Sequence, residues 1–137
     1  TISMPAPILY CGDTELTGAA AYLAGLIAHA GWTCDYVPSH QPLTPDMITA
    51  DRRLIILSDY PAALARACQA PIVERVAHGM GLLMIGGWES FHGLGGDWDG
   101  TPISRLLGVT TRSVDDRCNS FTPALLAPTT TGETHPI

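Results

Sequence analysis

The chain contains no lysine. That absence removes whole reaction classes at once. A P-loop ATPase, a Schiff-base enzyme and a phosphorelay receiver, which sets a lysine beside its aspartate, each require one. All seven basic residues are arginine, scattered with Arg52-Arg53 the only pair, and the net charge is −6. No basic stripe is present to follow a phosphate backbone, so nucleic acid is not an expected partner. No apolar run approaches the ~20 residues that cross a bilayer, so no membrane partner is expected either. The opening Thr1-Ile2-Ser3-Met4 lacks the basic-then-apolar pattern of an export signal. Cys11, Cys34, Cys68 and Cys118 include no C-x-x-C pair, which argues against a zinc knuckle or a thioredoxin-like site. The first three sit among apolar neighbours and read as reduced, buried thiols, which points to a cytoplasmic location. Cys118 stands beside Asp115, Asp116 and Arg117. Two carboxylates raise a thiol pKa, the opposite of what a nucleophile needs.

What is present reads as one α/β domain over 1–137. Hydrophobic residues make up 46% and charged ones 15%, far from a disordered composition. A chain of this length buries roughly two-thirds of its unfolded surface. Residues 7–12 read as a short buried strand. Residues 14–30 then read as a helix, with Leu16, Ala20, Leu23, Ile27 and Ala30 on one face. Asp13 or Thr14 is its expected cap and Gly31 its stop. Gly18 and Gly25 are expected to let it sit close to a sheet. Residues 32–37 read as an edge strand and 53–58 as a strand buried on both faces. Helical segments at 62–69 and 71–79, split by Pro71, precede a fourth strand at 81–87. Residues 93–102 read as a solvated, glycine-rich loop, 103–109 as a short helix leading into a strand, and 110–119 as strand-like. The tail from 119 to 137 reads as extended.

Alternation of strands and helices implies a parallel sheet with right-handed crossovers. The expected fold is a flavodoxin-like three-layer α/β/α sandwich, strand order 2-1-3-4 plus late strands. Ligands bind such sheets at the carboxyl ends of the strands, where the order reverses. Asp13, Asp59, Gly87 and Trp88 are delivered there and are the expected ligand-binding residues.

The most informative stretch is 81–93, where the run Leu82-Leu83-Met84-Ile85 stops at Gly86-Gly87 and Trp88, Glu89, Ser90, Phe91 and His92 follow. A strand-to-helix elbow of this kind often carries a nucleophile. Glu89, Ser90 and His92 are the candidate catalytic residues: His92 lies two positions after the Ser90 hydroxyl, and Glu89 is placed to orient it. The structural alternative, which the spacing favours, has Ser90 capping a turn and His92 packing. Trp88, Phe91 and Trp98 either line a pocket or cover the sheet end. Asp97-Trp98-Asp99-Gly100 faintly resembles a calcium loop but lacks its downstream Glu. No metal and no cofactor are expected.

With these residues in place, the chain resembles the class I glutamine amidotransferase-like family, a branch related to trehalose-utilisation-type proteins. The segments that carry the likeness are 9–13, 57–61, 81–109, 115–117 and 135–137, the middle block being the most specific. The resemblance implies the flavodoxin-like fold. Class I glutaminases carry a Cys in G-x-C-x-G at the strand-four elbow and a later His-x-Glu pair. Here the elbow reads Ile85-Gly86-Gly87-Trp88-Glu89, and no Glu follows His135-Pro136-Ile137. The resemblance therefore implies an amidotransferase-like domain without glutaminase activity. Relatives continue past this point, so a C-terminally shortened domain, or one completed by a partner subunit, is expected. The ligand is expected to be small and polar, sugar-like by analogy, or else a protein partner. The alternatives are a hydrolase using Glu89 or Ser90 with His92, and an assembly domain. A homo-oligomer is expected.

Overall fold

Four apolar segments, β1 (Ile8–Gly12), β2 (Cys34–Val37), β3 (Leu54–Ser58) and β4 (Gly81–Ile85), pair in parallel in the order 2-1-3-4. The computed structural model describes residues 4–115, 121–123, 125, 127–130 and 133. The register is continuous across the centre, with Ile8 beside Cys34 and Leu54, and Leu54 beside Gly81. β1 and β3 are flanked on both sides and nearly wholly buried. Their unbroken apolar sequence reflects this, because a central parallel strand has no solvent face. The fold is the flavodoxin-like α/β architecture read from the sequence.

Alternate side chains feed two cores. One face presents Leu9, Cys11, Ile55 and Leu57 to a 3-10 helix (Ala62–Cys68), helix α2 (Gln69–Ala77) and a 3-10 turn (Ile103–Leu106). The other presents Ile8, Tyr10 and Ile56 to helix α1 (Ala21–His29). No described helix is long and apolar enough to cross a membrane.

Several boundaries differ from expectation, each for a physical reason. α1 begins at Ala21 rather than residue 14, because residues 15–20 form turns. Asp13 therefore does not cap it; no side chain does, and Ala20 occupies that position. Gly18 lies outside the helix, and Gly25 points into open space, so neither glycine brings α1 closer to the sheet. Gly31 does end the segment, in the left-handed region at φ 78°. Pro71 falls in the first turn of α2, where a missing N–H costs nothing, and the break comes earlier, after Cys68. β2 starts two residues late, and β4 stops at Ile85. β4 is also a half-exposed edge among the described residues, not a buried strand.

The described part of the expected late strands, residues 107–115, joins no ladder; the remainder, with Cys118, lies outside the described residues, as do Asp116, Arg117 and 135–137. The described tail positions form no strand. The glycine-rich segment 93–102 is solvated at Leu94, Gly95, Asp97, Gly100 and Pro102, as expected, but it is anchored to the core. Trp98 is fully buried within it, donating from its backbone N–H to Phe91 O at 2.7 Å and from its indole N–H to Tyr60 O at 2.8 Å.

One arginine braces the amino ends of the strands. Arg52, only 5% exposed, donates through Nε to Met47 O at 3.0 Å and through Nη1 to Ala6 O and Asp35 Oδ2, each at 2.5 Å. This ties the entry to β1, the edge strand β2 and the 45–48 turn to the start of β3. Burial pushes the Asp35 carboxyl up, but the hydrogen bonds from Arg52 and the Ala6 N–H, with the Arg52 charge, outweigh it and hold it below the ordinary range. Arg52→Met is expected to cost about 2 kcal/mol, mostly from stranded carbonyl acceptors, since half-exposed Asp35 adds little. A folded-state pKa below the unfolded ~3.9 gives stability that is present above pH ~4 and lost as pH falls through the folded value. Urea unfolding as a function of pH should therefore show this acid-side loss in the parent chain and a flatter profile in the variant.

Candidate functional site

The carboxyl ends of β1, β3 and β4 deliver Asp13, Asp59 and Glu89 to one edge of the sheet. Asp13 follows Gly12, whose φ of 140° leaves no room for a side chain: a Cβ there would lie 1.5 Å from Ser58 O. Asp13 itself is left-handed, at φ 57°. Its N–H donates to Ser58 O at 3.1 Å and its carbonyl accepts from Ser39 N at 2.8 Å. Tyr36 donates its hydroxyl to Gly12 O at 2.7 Å and Asp13 O at 3.2 Å, and Tyr10 donates to Asp13 Oδ2 at 3.0 Å. The two tyrosine rings meet edge to face at 5.7 Å. Asp13 is thus held as a presented carboxylate, with every backbone group partnered.

Asp59 is also left-handed, at φ 51°, and is fastened to the loop after β4 by a reciprocal pair of bonds. Its N–H donates to Ser90 Oγ at 2.9 Å, and its Oδ1 accepts from the Glu89 N–H at 2.6 Å. Gly87 allows this approach, since a Cβ there would meet Asp59 Oδ1 at 2.6 Å. The glycine is needed for room, not for its backbone angle. Directly after β3 the left-handed residue is Asp59, whereas in the loop after β4 it is Phe91, at φ 52°.

Burial pushes the Asp13 carboxyl up, and the Asp59 charge adds to it against the favourable Tyr10 hydroxyl. Glu89 is raised by partial burial and then by the Asp59 charge. Among the described residues no arginine pairs with Asp13, Asp59 or Glu89. This edge of the sheet is acidic, and Trp88, next to Glu89 in the chain, is 65% exposed. Such a site favours cations and hydroxyl or amine donors and repels anions.

The expected catalytic residues are not brought together as a catalytic pair. Ser90 is 2% exposed, and its hydroxyl serves the Asp59 N–H. The His92 ring instead pairs through Nδ1 with Asp99 Oδ1 at 2.5 Å. Among the described residues no hydrogen bond joins Ser90 to His92. Trp98 belongs to the core rather than to a pocket lining, Phe91 is half-buried, and Trp88 alone of the three aromatics is largely exposed. None of the described thiols stands after β4. Cys11 ends up near the carboxyl edge of β1, but burial pushes its thiol up to about 12.

Sequence reasoning missed Tyr10 and Tyr36, whose hydroxyls reach Asp13 and its neighbour Gly12; for Tyr10 the available signal was its place just before the strand-ending Gly12-Asp13, whereas Tyr36, followed by Val37-Pro38, offered none. It also missed that His92, Asp97 and Asp99 place one ligand-type atom each within 4.8 Å of one another. Buried Trp98 between the two aspartates fixes that cluster. Hydrogen bonding to Asp99 chiefly raises the His92 pKa.

Two outcomes test this geometry. Ser90→Ala leaves the Asp59 N–H without an acceptor and should lower unfolding stability by about 1–3 kcal/mol; a neutral substitution would show that the hydroxyl fastens nothing. Asp99→Asn should bring the His92 titration, followed by NMR, down toward the ordinary imidazole value. Stability that depends on protonated His92 is present below its unfolded pKa and lost as pH rises through the raised one. An unshifted titration would contradict the pairing.

A family profile described as putative glutamine amidotransferase matches residues 12–137. No curated protein gives a significant match. The profile begins at the glycine that ends β1 and takes in all three acidic turns, so the sheet, the elbows and the match describe the same object: the chain belongs to the putative glutamine amidotransferase family.

Proposed function

We propose that this chain is a non-glutaminase member of its family that binds a small polar ligand, of a hydroxyl- or amine-bearing and sugar-like class, between Asp13, Asp59, Glu89 and Trp88. The observation that carries the reading is the acidic edge: three carboxylates, two of them raised, with no arginine partner among the described residues, and an exposed tryptophan adjacent in sequence to Glu89. Carboxylates accept from hydroxyls and amines, and a tryptophan face covers the apolar side of a sugar ring. The turn after β4 has glycine and tryptophan where a glutaminase needs its thiol. The same reading includes a cytoplasmic location, supported by unpaired Cys11, Cys34 and Cys68, and self-association of the chain.

A second reading is favoured by one observation, the raised Glu89 carboxyl, which suits a proton donor. In that hydrolase a water molecule attacks the scissile carbon while Glu89 protonates the leaving group, and the proton the water gives up passes to solvent. Ser90, committed to the Asp59 N–H, contributes position rather than a nucleophile.

Calorimetric titration with a panel of polyols, amino sugars and simple amines separates the two. The binding reading expects saturable heat and quenching of Trp88 fluorescence with at least one of them. Affinity should be lost by Asp59→Asn, and in the parent chain it should fall on acidification from above the ordinary carboxylate range, because Asp13 and Glu89 protonate early. Glutamine should not be hydrolysed. Turnover of an ester, amide or glycoside that Glu89→Gln abolishes would favour the hydrolase. Silence across the whole panel, with no turnover, would overturn both.

A further inference from the structure

The two faces of the sheet are unequally covered. Four strands spaced ~4.8 Å apart span about 19 Å, and a helix is ~10 Å across, so one helix covers about half of a face. The face that presents Ile8, Tyr10 and Ile56 has α1 as its only described helix. α1 buries those three residues against Ala20 and Ile27. Among the described residues the β4 half is only partly covered: Ile85 packs at the margin of this core, but Leu83, on this face through its register with Ile56, is 42% exposed. A cavity of about 350 Å³ lined by Pro7, Ile8, Trp32, Arg53 and Leu54 opens at the amino end of the same face.

α1 carries the complementary anomaly. From Leu16 to Cys34 there is no Asp, Glu, Lys or Arg. Tyr22, 79% exposed, and Leu26, 47% exposed, stand on its outer side, with Trp32, 62% exposed, just beyond its end. A helix with one buried side normally puts charge on the other; a helix apolar all round is a buried helix. Among the described residues, one surface thus holds a helix with an apolar side left over and a half-sheet with no helix on it.

We propose that two copies of the chain pair about a two-fold axis through this face. Their α1 helices lie side by side in one layer between two sheets, each filling the half that the other sheet leaves open. A two-fold contact requires a self-complementary surface, and this one supplies both parts. Charge points to the same occupant. Two bodies of −6 repel one another except through an uncharged surface, and the segment 16–34 is uncharged. A lipid surface would call for lysine or arginine flanking the helix, and that segment has neither.

Sedimentation equilibrium on the intact chain, from micromolar to hundreds of micromolar, is the test. The chain should pass from its 14.5 kDa monomer to twice that mass. Tyr22→Glu and Leu83→Glu should each weaken the dimer by at least about tenfold. Leu94→Glu should leave it unchanged, because that exposed leucine lies on the loop packed against Ala62–Cys68 on the opposite face. Circular dichroism checks each fold, and should Leu83→Glu not fold, Tyr22→Glu decides alone. A monomer at every concentration overturns the proposal, as does a dimer indifferent to the substitutions. Neither outcome depends on whether the acidic edge binds a ligand.

Discussion

The candidate site depends on two hydrogen bonds that run in opposite directions between the same two loops. Asp59 gives its N–H to the Ser90 hydroxyl and takes the Glu89 N–H on its carboxylate. Neither residue is in a strand, yet the pair continues the β3–β4 association beyond the last rung of the ladder. Everything notable about the edge follows. Ser90 is removed from solvent and from nucleophilic chemistry. The Glu89 carboxyl is kept near the Asp59 charge and rises in pKa. Gly87 must lack a side chain, and Trp88 follows it, largely exposed. The indole of Trp98 supports the arrangement from beneath by holding Tyr60 O, one residue beyond Asp59.

Charge is separated along the strands. The amino ends are braced by buried Arg52 against Asp35, an ion pair with its hydrogen bonds largely satisfied. The carboxyl ends gather carboxylates that, among the described residues, no arginine pairs. A fold that invests its buried cation in structure at one end and leaves anions uncompensated at the other concentrates its electrostatic potential where a parallel sheet ordinarily binds ligands. Tyr10 and Tyr36 limit the cost by giving Asp13 hydroxyl and backbone partners.

The sheet was legible because β1 and β3 are apolar at consecutive positions, which only a strand flanked on both sides tolerates. Asp13, Asp59 and Trp88 were legible as residues following strands. What failed did so through tertiary context. The start of α1 was overestimated because the apolar spacing of Leu16 and Ala20 extends a helical pattern into turns. Asp13 looked like a cap because it precedes that pattern, whereas its backbone is committed to Ser58 and Ser39. The segment 93–102 is solvated over half its length, as its glycines suggested, but they hid the one residue that anchors it, Trp98. Ser90 and His92 are close in sequence, but each is claimed by a distant aspartate, Asp59 and Asp99, and spacing alone carries no trace of that. β4 read as buried from composition, and its half-exposure among the described residues is a property of its neighbours.

Hydrogen exchange at the Glu89 and Asp59 amides tests the central clasp most directly. Both lie in loops outside any helix or strand, where unpartnered amides exchange fast. The account predicts strong protection at both in the parent chain. In Asp59→Ala, which removes the acceptor, the Glu89 amide should lose its protection while the β1–β3 ladder keeps its own. Fast exchange of the Glu89 amide in the parent chain, or protection that survives the substitution, would contradict the account.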